Sequence, residues 1–432
     1  MDIAIIGAGM TGLTAGYRLS QRGHRVTIYE KEPYSGGLAS AVPAGSSVVD
    51  RFYHHIFVSD SDILTLIDEL GLKDILSWHE PKNAIYLDNS LYSFTSPPDL
   101  LVFKPLDFIS RIRMGLLVLS SMFIKDYSPL ESVTAKDWII RRAGKNVYEK
   151  IWEPLLISKF DKDSDNVSGT WIWNKFKLRG SSRGKSMGRE KLGYMDNGFI
   201  NLIDELAGRI KQNGGNIRLS CEVTSIRNTD DGKTELETAD GVNIHDRVLF
   251  TAAPALLAGI CPALPQNFAE SLLNIRHKAV ICLVLELKNS LSPYYWITVS
   301  EKDFPFVLVV EHTNLVGMEA YGSHIVYLSR YCDTADPVFS LTEKEIIGMF
   351  TTGLKRIFPG FDENDITRAT LSKACFAQPV VTLNYGSRVP TIKTPLDGLY
   401  LASMSQIYPE DRGLNYAVRL GFNAANEIIK DL

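Results

Sequence analysis

The residues with the clearest chemistry stand at the start of the chain. Gly7, Gly9 and Gly12 form a G-x-G-x-x-G run directly after the apolar stretch Ile3-Ala4-Ile5-Ile6. Gly7 allows a tight strand-to-helix turn, Gly9 lets a pyrophosphate approach the backbone, and Gly12 permits close helix–strand packing. Met10 and Thr11 open the helix that follows, whose unpaired N–H groups and positive dipole end favour phosphate. A second short strand, Val26-Thr27-Ile28-Tyr29, ends at Glu30, followed by Lys31. A carboxylate there can accept hydrogen bonds from ribose hydroxyls and disfavours a 2′-phosphate. Strand, glycines, helix, strand and acid in this order predict a dinucleotide site.

Two further clusters could act on a substrate. His54 and His55 are adjacent in an aromatic, β-rich run. In a strand they point to opposite faces, so one can face a ligand while the other packs, and they cannot share a metal ion. Both a structural pair and a proton-transfer role stand for them, since an unperturbed imidazole titrates near ~6.5. Residues 175–191 hold seven Lys or Arg and one Glu, interleaved with Gly180, Gly184 and Gly188. Their composition predicts a loop. It is either a solvated basic surface or a lid whose Arg179, Arg183, Lys185 or Arg189 grips a phosphorylated substrate. The run Trp152–Phe160, with Glu153 and Lys159 around Pro154, either borders the substrate or packs in the core.

The 432 residues are 45% hydrophobic and 22% charged, enough for two packed units. A net charge of −4, with Phe176 the one aromatic inside the basic run, argues against nucleic acid. Cys221, Cys261, Cys282, Cys332 and Cys375 form no C-x-x-C, so neither a disulfide framework nor a zinc site is expected and a reducing cytosol fits. The first strand begins at once, which predicts no signal peptide. Residues 100–124 are rich in apolar side chains, but Lys104, Asp107, Arg111 and Arg113 interrupt them, so no charge-free span of membrane length exists. That stretch is either a helix packed in a substrate-side unit or a monotopic surface at the inner face of a membrane.

The elements that must position these groups follow in order. A helix is predicted at 62–76, stopped by Gly71, and a hairpin at 84–94 through Asp88-Asn89-Ser90. Helical patterns dominate 99–192, and a helix runs from Ile200 to Gln212. Strands recur over 261–390, among them 280–287, 306–310 and 324–330, with a helix from Glu343 to Phe358. The strand Gly398–Ala402 leads to a last helix, Leu414 to Lys430.

Beyond Glu30, Gly36-Gly37-Leu38 adds a second glycine pair. A nicotinamide cofactor has no need of it, whereas the longer flavin dinucleotide suits it. With G-x-G-x-x-G, the acid and the glycine pair in this order, the chain resembles the flavin-containing amine oxidase and protoporphyrinogen oxidase superfamily over nearly its whole length. The resemblance implies bound FAD and an α/β fold: a discontinuous Rossmann-like FAD-binding domain with a mixed α+β substrate domain. The first would comprise 1–95, 194–260 and 391–432, the second 96–193 and 261–390. It implies that Val223 holds adenine through its backbone and that Ala252 and Ser403 border the cofactor. Gly413, Leu414 and Asn415 would set a helix N-terminus at the flavin's N1–C2=O edge. Leu38 stands where the family often has Arg, and Ser403-Met404 where it often has Gly-Asp. The segment His55-Ile56-Phe57 is also similar to one in UDP-galactopyranose mutases, which puts His55 beside the isoalloxazine ring.

On this reading His54, His55, Tyr408 and Arg412 are the catalytic candidates, and Arg183, Lys185, Gln378 and Tyr385 the substrate-binding ones. Three functions remain open. The first is an FAD-dependent oxidoreductase taking hydride from a substrate C–H, the substrate a small molecule such as a phosphorylated or lipid-linked glycan precursor. The second is a flavin-dependent sugar-nucleotide mutase without net redox. The third is a non-catalytic flavoprotein.

Overall fold

The apolar run at the N-terminus forms a strand because β-branched residues alternate between two buried faces. A computed structural model describes residues 1–181, 190–301 and 303–431, with the backbone alone for 179–181. Strand β1 (Asp2–Ile6) is central in a five-stranded parallel sheet with β2 (Arg25–Tyr29), β3 (Asn216–Arg218), β4 (Arg247–Phe250) and β5 (Leu399–Leu401). The strand order is β3-β2-β1-β4-β5. Ile3 and Ile5 face one side and pack with Leu13, Leu202, Leu206 and Val418. Those partners come from helices α1 (Met10–Gln21), α2 (Ile200–Gln212) and α3 (Leu414–Lys430). Ala4 and Ile6 face the other side and meet Val223, Ile226 and Leu236 of a three-stranded antiparallel layer. The period-two alternation of β1 thus serves two cores at once.

A second sheet of seven strands runs in the order 366–379, 277–287, 324–332, 308–311, 296–299, 83–87, 90–93. Strand His277–Leu287 is buried along nearly its whole length. Ile281, Leu283 and Leu285 pack toward the helix Glu343–Ile357, whose Phe350 and Leu354 fill the far side. Val280, Cys282 and Val284 face the opposite way, toward Phe52, Tyr327 and Leu192. The hairpin turns at Asp88 and Asn89, both at positive φ, where short polar side chains are tolerated. Expected with residues 1–95, it instead pairs with strand Trp296–Val299 and extends the second sheet.

The third layer is helical. Trp171, Trp173, Phe160 and Tyr148 anchor a core with Trp138, Met114 and Leu117. The helix Gly169–Ser181 carries Lys175 and Lys177, so the basic run begins as a helix and not as the expected loop. Arg183 and Lys185 lie outside the described residues. The early amphipathic helix is shorter than predicted, Ser61–Glu69, and Gly71 turns the chain at φ +73°.

Candidate active site

The cradle is built from backbone. Gly9 is the N-cap of α1 and its first turn has no side-chain cap, so the N–H groups at Met10 and Thr11 keep their donors. A Cβ added at Gly9 would meet nothing within 4 Å, so open space lies against that helix end. A Cβ at Gly12 would collide with the Gly7 carbonyl, which is why helix and strand can close here only on glycine. The second glycine pair packs on the first loop: the Gly36 N–H donates to the Ala8 carbonyl at 2.8 Å. The Glu30 carboxylate is buried beside it, with Oε2 accepting from the Ala8 N–H at 2.8 Å and Oε1 from the Glu32 N–H at 3.0 Å. Lys31 is exposed and its Nζ lies 3.8 Å from Glu32 Oε1.

The other end of the cradle comes from the last helix. α1 and α3 cross so closely that a Cβ at Gly421 would sit 2.6 Å from the Thr11 carbonyl. Gly413 is the N-cap of α3, again without a side-chain cap. The Asn415 side chain belongs to the neighbouring helix, since its Oδ1 accepts from the Asp62 N–H at 2.9 Å and the Ile63 N–H at 3.0 Å. Ser403 is buried and closes its own turn through a reciprocal bond with Gln406. Val223 begins a strand opposite Thr238, and Ala252 is the second residue after β4. Two uncapped helix N-termini, glycine edges and a buried acid at the end of β2 fit FAD.

A cavity of 340 Å³ opens from this end. Leu38, His54, His55, Gly413, Leu414 and Asn415 line its cofactor side; Tyr295, Trp296 and Tyr331 come from the seven-stranded sheet; and Ile151, Trp152, Leu155, Lys159 and Phe176 from the helical layer. His55 Nδ1 lies 3.0 Å from the Tyr295 hydroxyl. Burial, helped by the Arg412 charge, pushes the His54 imidazole down to about 4, and its Nδ1 is buried without a hydrogen-bond partner. His54 is therefore neutral near pH 7. Its pKa is too low for the neutral-range proton transfer expected of an unperturbed histidine.

Charged groups cluster at one wall. Arg412 donates from Nε to Gln378 Oε1 at 3.0 Å and from Nη2 to the Tyr331 hydroxyl at 2.6 Å. Asp411 accepts from Trp171 Nε1 at 3.2 Å and Gln378 Nε2 at 3.1 Å, and it pairs with Lys175. Lys159 Nζ sits 5.6 Å from the Trp171 ring centroid and 5.4 Å from that of Tyr331. Burial opposes ionisation of Asp411, yet the charges of Lys175, Lys159 and Arg412 hold its carboxyl well below the usual carboxylate range.

Three expected residues do not line this cavity: Gln378, which stands behind Arg412 and accepts from it, and two tyrosines. The Tyr408 hydroxyl donates to Glu131 Oε1 at 2.6 Å, and its ring packs with Tyr127 and Tyr385. Tyr385 is buried, donates to the Ser405 carbonyl at 2.8 Å, and borders a separate cleft of 490 Å³ with Arg276 and Arg388. That cleft is lined by none of the cradle glycines or site histidines. Both hydroxyls donate to protein acceptors. Sequence reasoning missed Tyr295, Tyr331, Lys175 and Asp411. Asp411 carried one signal, an acid beside Arg412 just before the last helix. The tyrosines come from distant strands and carried none.

A family profile described as flavin containing amine oxidoreductase matches residues 10–429. Zeta-carotene desaturase of Arabidopsis thaliana is 24% identical over 301 residues, 63% of this chain and 53% of that protein. Mitochondrial protoporphyrinogen oxidase of Nicotiana tabacum is 28% identical over 194 residues, 41% of this chain and 37% of that protein. The matches thus span about half or less of the length of these relatives. Among solved structures, reduced UDP-galactopyranose mutase superposes with a TM-score of 0.78 at 13% identity, covering 100% of this chain and 96% of that one. At that identity the likeness is one of fold. The cradle, the cavity beside it and a profile match over nearly the whole chain lead to one conclusion: this chain belongs to the flavin containing amine oxidoreductase family, with FAD as its cofactor.

Proposed function

We propose that the protein is an FAD-dependent dehydrogenase or oxidase whose substrate joins an apolar body to an anionic group, such as a phosphorylated or lipid-linked precursor. The observation that carries this reading is the 340 Å³ cavity, which sets an aromatic and aliphatic wall opposite the Arg412 cluster, with the α3 N-terminus at one end. When bound, the flavin supplies the two-electron acceptor for a substrate C–H.

The chain's own residues do the rest. Arg412, locked by Gln378 and Tyr331, presents a fixed guanidinium that orients a carboxylate or phosphate. His55, oriented by the Tyr295 hydroxyl, is placed to hold a proton leaving the substrate. His54 stays neutral and lines the same cavity. Trp152, Leu155 and Phe176 exclude water from the reacting carbon.

Anaerobic mixing of the flavin-loaded protein with polyprenyl-phosphate sugars, sugar nucleotides and amines tests this reading. A substrate that bleaches the flavin absorbance, with a raised KM in Arg412→Met, supports it. Isomerisation of a sugar nucleotide only after dithionite reduction, without net oxidation, would assign the mutase chemistry and refute it.

A further inference from the structure

The segment from Leu101 to Phe123 carries nine of the nineteen large apolar side chains exposed among the described residues. They are Leu101, Val102, Phe108, Ile109, Ile112, Leu116, Leu119, Met122 and Phe123, each 40–81% exposed. Most lie on the helix Phe108–Met122, at spacings that place them on its outer face. The inner face is used conventionally, with Met114 and Leu117 buried in the helical core. Together the exposed side chains present on the order of 1,000 Å² of surface, above the ~300–600 Å² of the largest apolar patch on a typical monomer.

Charge decides what covers this face. Residues 100–126 contain four cations, Lys104, Arg111, Arg113 and Lys125, and two acids, Asp107 and Asp126, the latter accepting from the Ser128 N–H at 2.9 Å, on a chain whose net charge is −4. Asp107 is committed to the helix N-terminus, accepting from the Ser110 N–H at 2.9 Å. Arg111 donates to the carbonyls of Leu101 and Leu106, fixing the preceding loop so that Leu101 and Val102 continue the apolar face. Lys104, Arg113 and Lys125 are exposed around it. A second copy of this chain would bring the same basic rim against itself. An anionic bilayer matches both the apolar face and its rim. Among the described residues no helix is long and apolar enough to cross a membrane, so the contact is a lying-on one.

We propose that the face formed by Leu101, Val102 and the outer side of helix Phe108–Met122 docks on an anionic phospholipid surface. Phe103, Leu106 and Met114 stand behind it in the same core as Ile151 and Phe176, which line the cavity. The face and the cavity thus share one hydrophobic core, so a docked bilayer can deliver an amphiphilic substrate; this delivery role rests on the function proposed above, whereas the docking does not.

Co-sedimentation of the flavin-loaded protein with phosphatidylcholine vesicles, with and without phosphatidylglycerol, reads the docking without any turnover. The protein should bind the anionic vesicles, and binding should weaken with salt. The double variant Phe108→Ser/Phe123→Ser should bind at least about tenfold more weakly while keeping its flavin absorbance. A Leu116→Trp variant should gain fluorescence that brominated lipids quench. Absence of vesicle binding by the unaltered protein would overturn the proposal, as would an unquenched Leu116→Trp signal. Dimers in solution that dissociate in the double variant, without vesicle binding, would assign the face to a second copy and also overturn it. Vesicle binding with no flavin bleaching by lipid-linked substrates would leave the docking standing and sink the substrate reading alone.

Discussion

Replacing Asp411 by Asn removes one charge at the centre of the site and keeps its shape. The carboxylate is buried, pairs with Lys175, and accepts from Trp171 and Gln378. An asparagine oxygen can still accept one or both of the neutral bonds, so the loss falls on the charge. Lys175, Lys159 and Arg412 then lose the one buried carboxylate whose charge faces all three. Breaking a buried pair by removing one partner costs ~3–5 kcal/mol, and the retained bonds put Asp411→Asn near the lower end, about 3 kcal/mol. The sign with pH follows from the depressed carboxyl. Its stabilising effect is fully present above the ordinary carboxylate range near ~4 and is lost only as pH falls below that. Urea unfolding of the flavin-loaded protein, followed by flavin and tryptophan fluorescence, should show the deficit undiminished from pH 8 to pH 5. A variant within about 1 kcal/mol of the unaltered protein at pH 7 would refute the reasoning. It would mean that Asp411 gains no more from its cations than it loses by burial.

Gly9→Val should keep the fold, because its Cβ meets nothing within 4 Å, yet abolish flavin retention; absorbance after gel filtration checks both. Asn415→Ala should cost about 1–2 kcal/mol by leaving the Asp62 and Ile63 N–H groups without an acceptor, read by the shift in unfolding midpoint. Lys278→Met should destabilise by roughly 3 kcal/mol, since Lys278 is fully buried between Asp163 at 3.0 Å and Asp333 at 2.7 Å. Asp50 is buried, and burial pushes its carboxyl up to about 7, so the folded state prefers the protonated form and loses stability as pH rises from ~4 toward 7. Asp50→Asn should therefore gain relative stability over that window, by up to ~1.4 kcal/mol per pH unit in denaturant titrations. A pH-independent difference would show that Asp50 stays ionised.

Local chemistry alone determined much of this protein. The strand, glycines, helix and Glu30 at the N-terminus are set by steric and dipolar rules that act over a few residues. They specify the dinucleotide cradle without reference to distant packing. Helices α2 and α3 begin and end where their apolar periodicity does, because each buries a single continuous stripe. The apolar stretch 100–124 was visible too, but its sequence could not separate a packed helix from an exposed one. Only the tertiary structure shows which side of each turn has a neighbour.

The substrate side was less legible because its groups are brought together from distant elements. Tyr331 and Tyr295 come from the second sheet, Lys159 and Lys175 from the helical layer, and Asp411 and Arg412 from the turn before α3. No local spacing records such a meeting. Tyr408 looked well placed from its nearness to α3 in the chain, yet Glu131 offered its hydroxyl a partner and turned it toward the helical core. His54 and His55 show the division most plainly. Residue type made both candidate bases, but burial decided that His54 titrates near 4 and that His55 meets Tyr295. Desolvation and long-range pairing belong to the packed molecule, and the sequence carries no local trace of either.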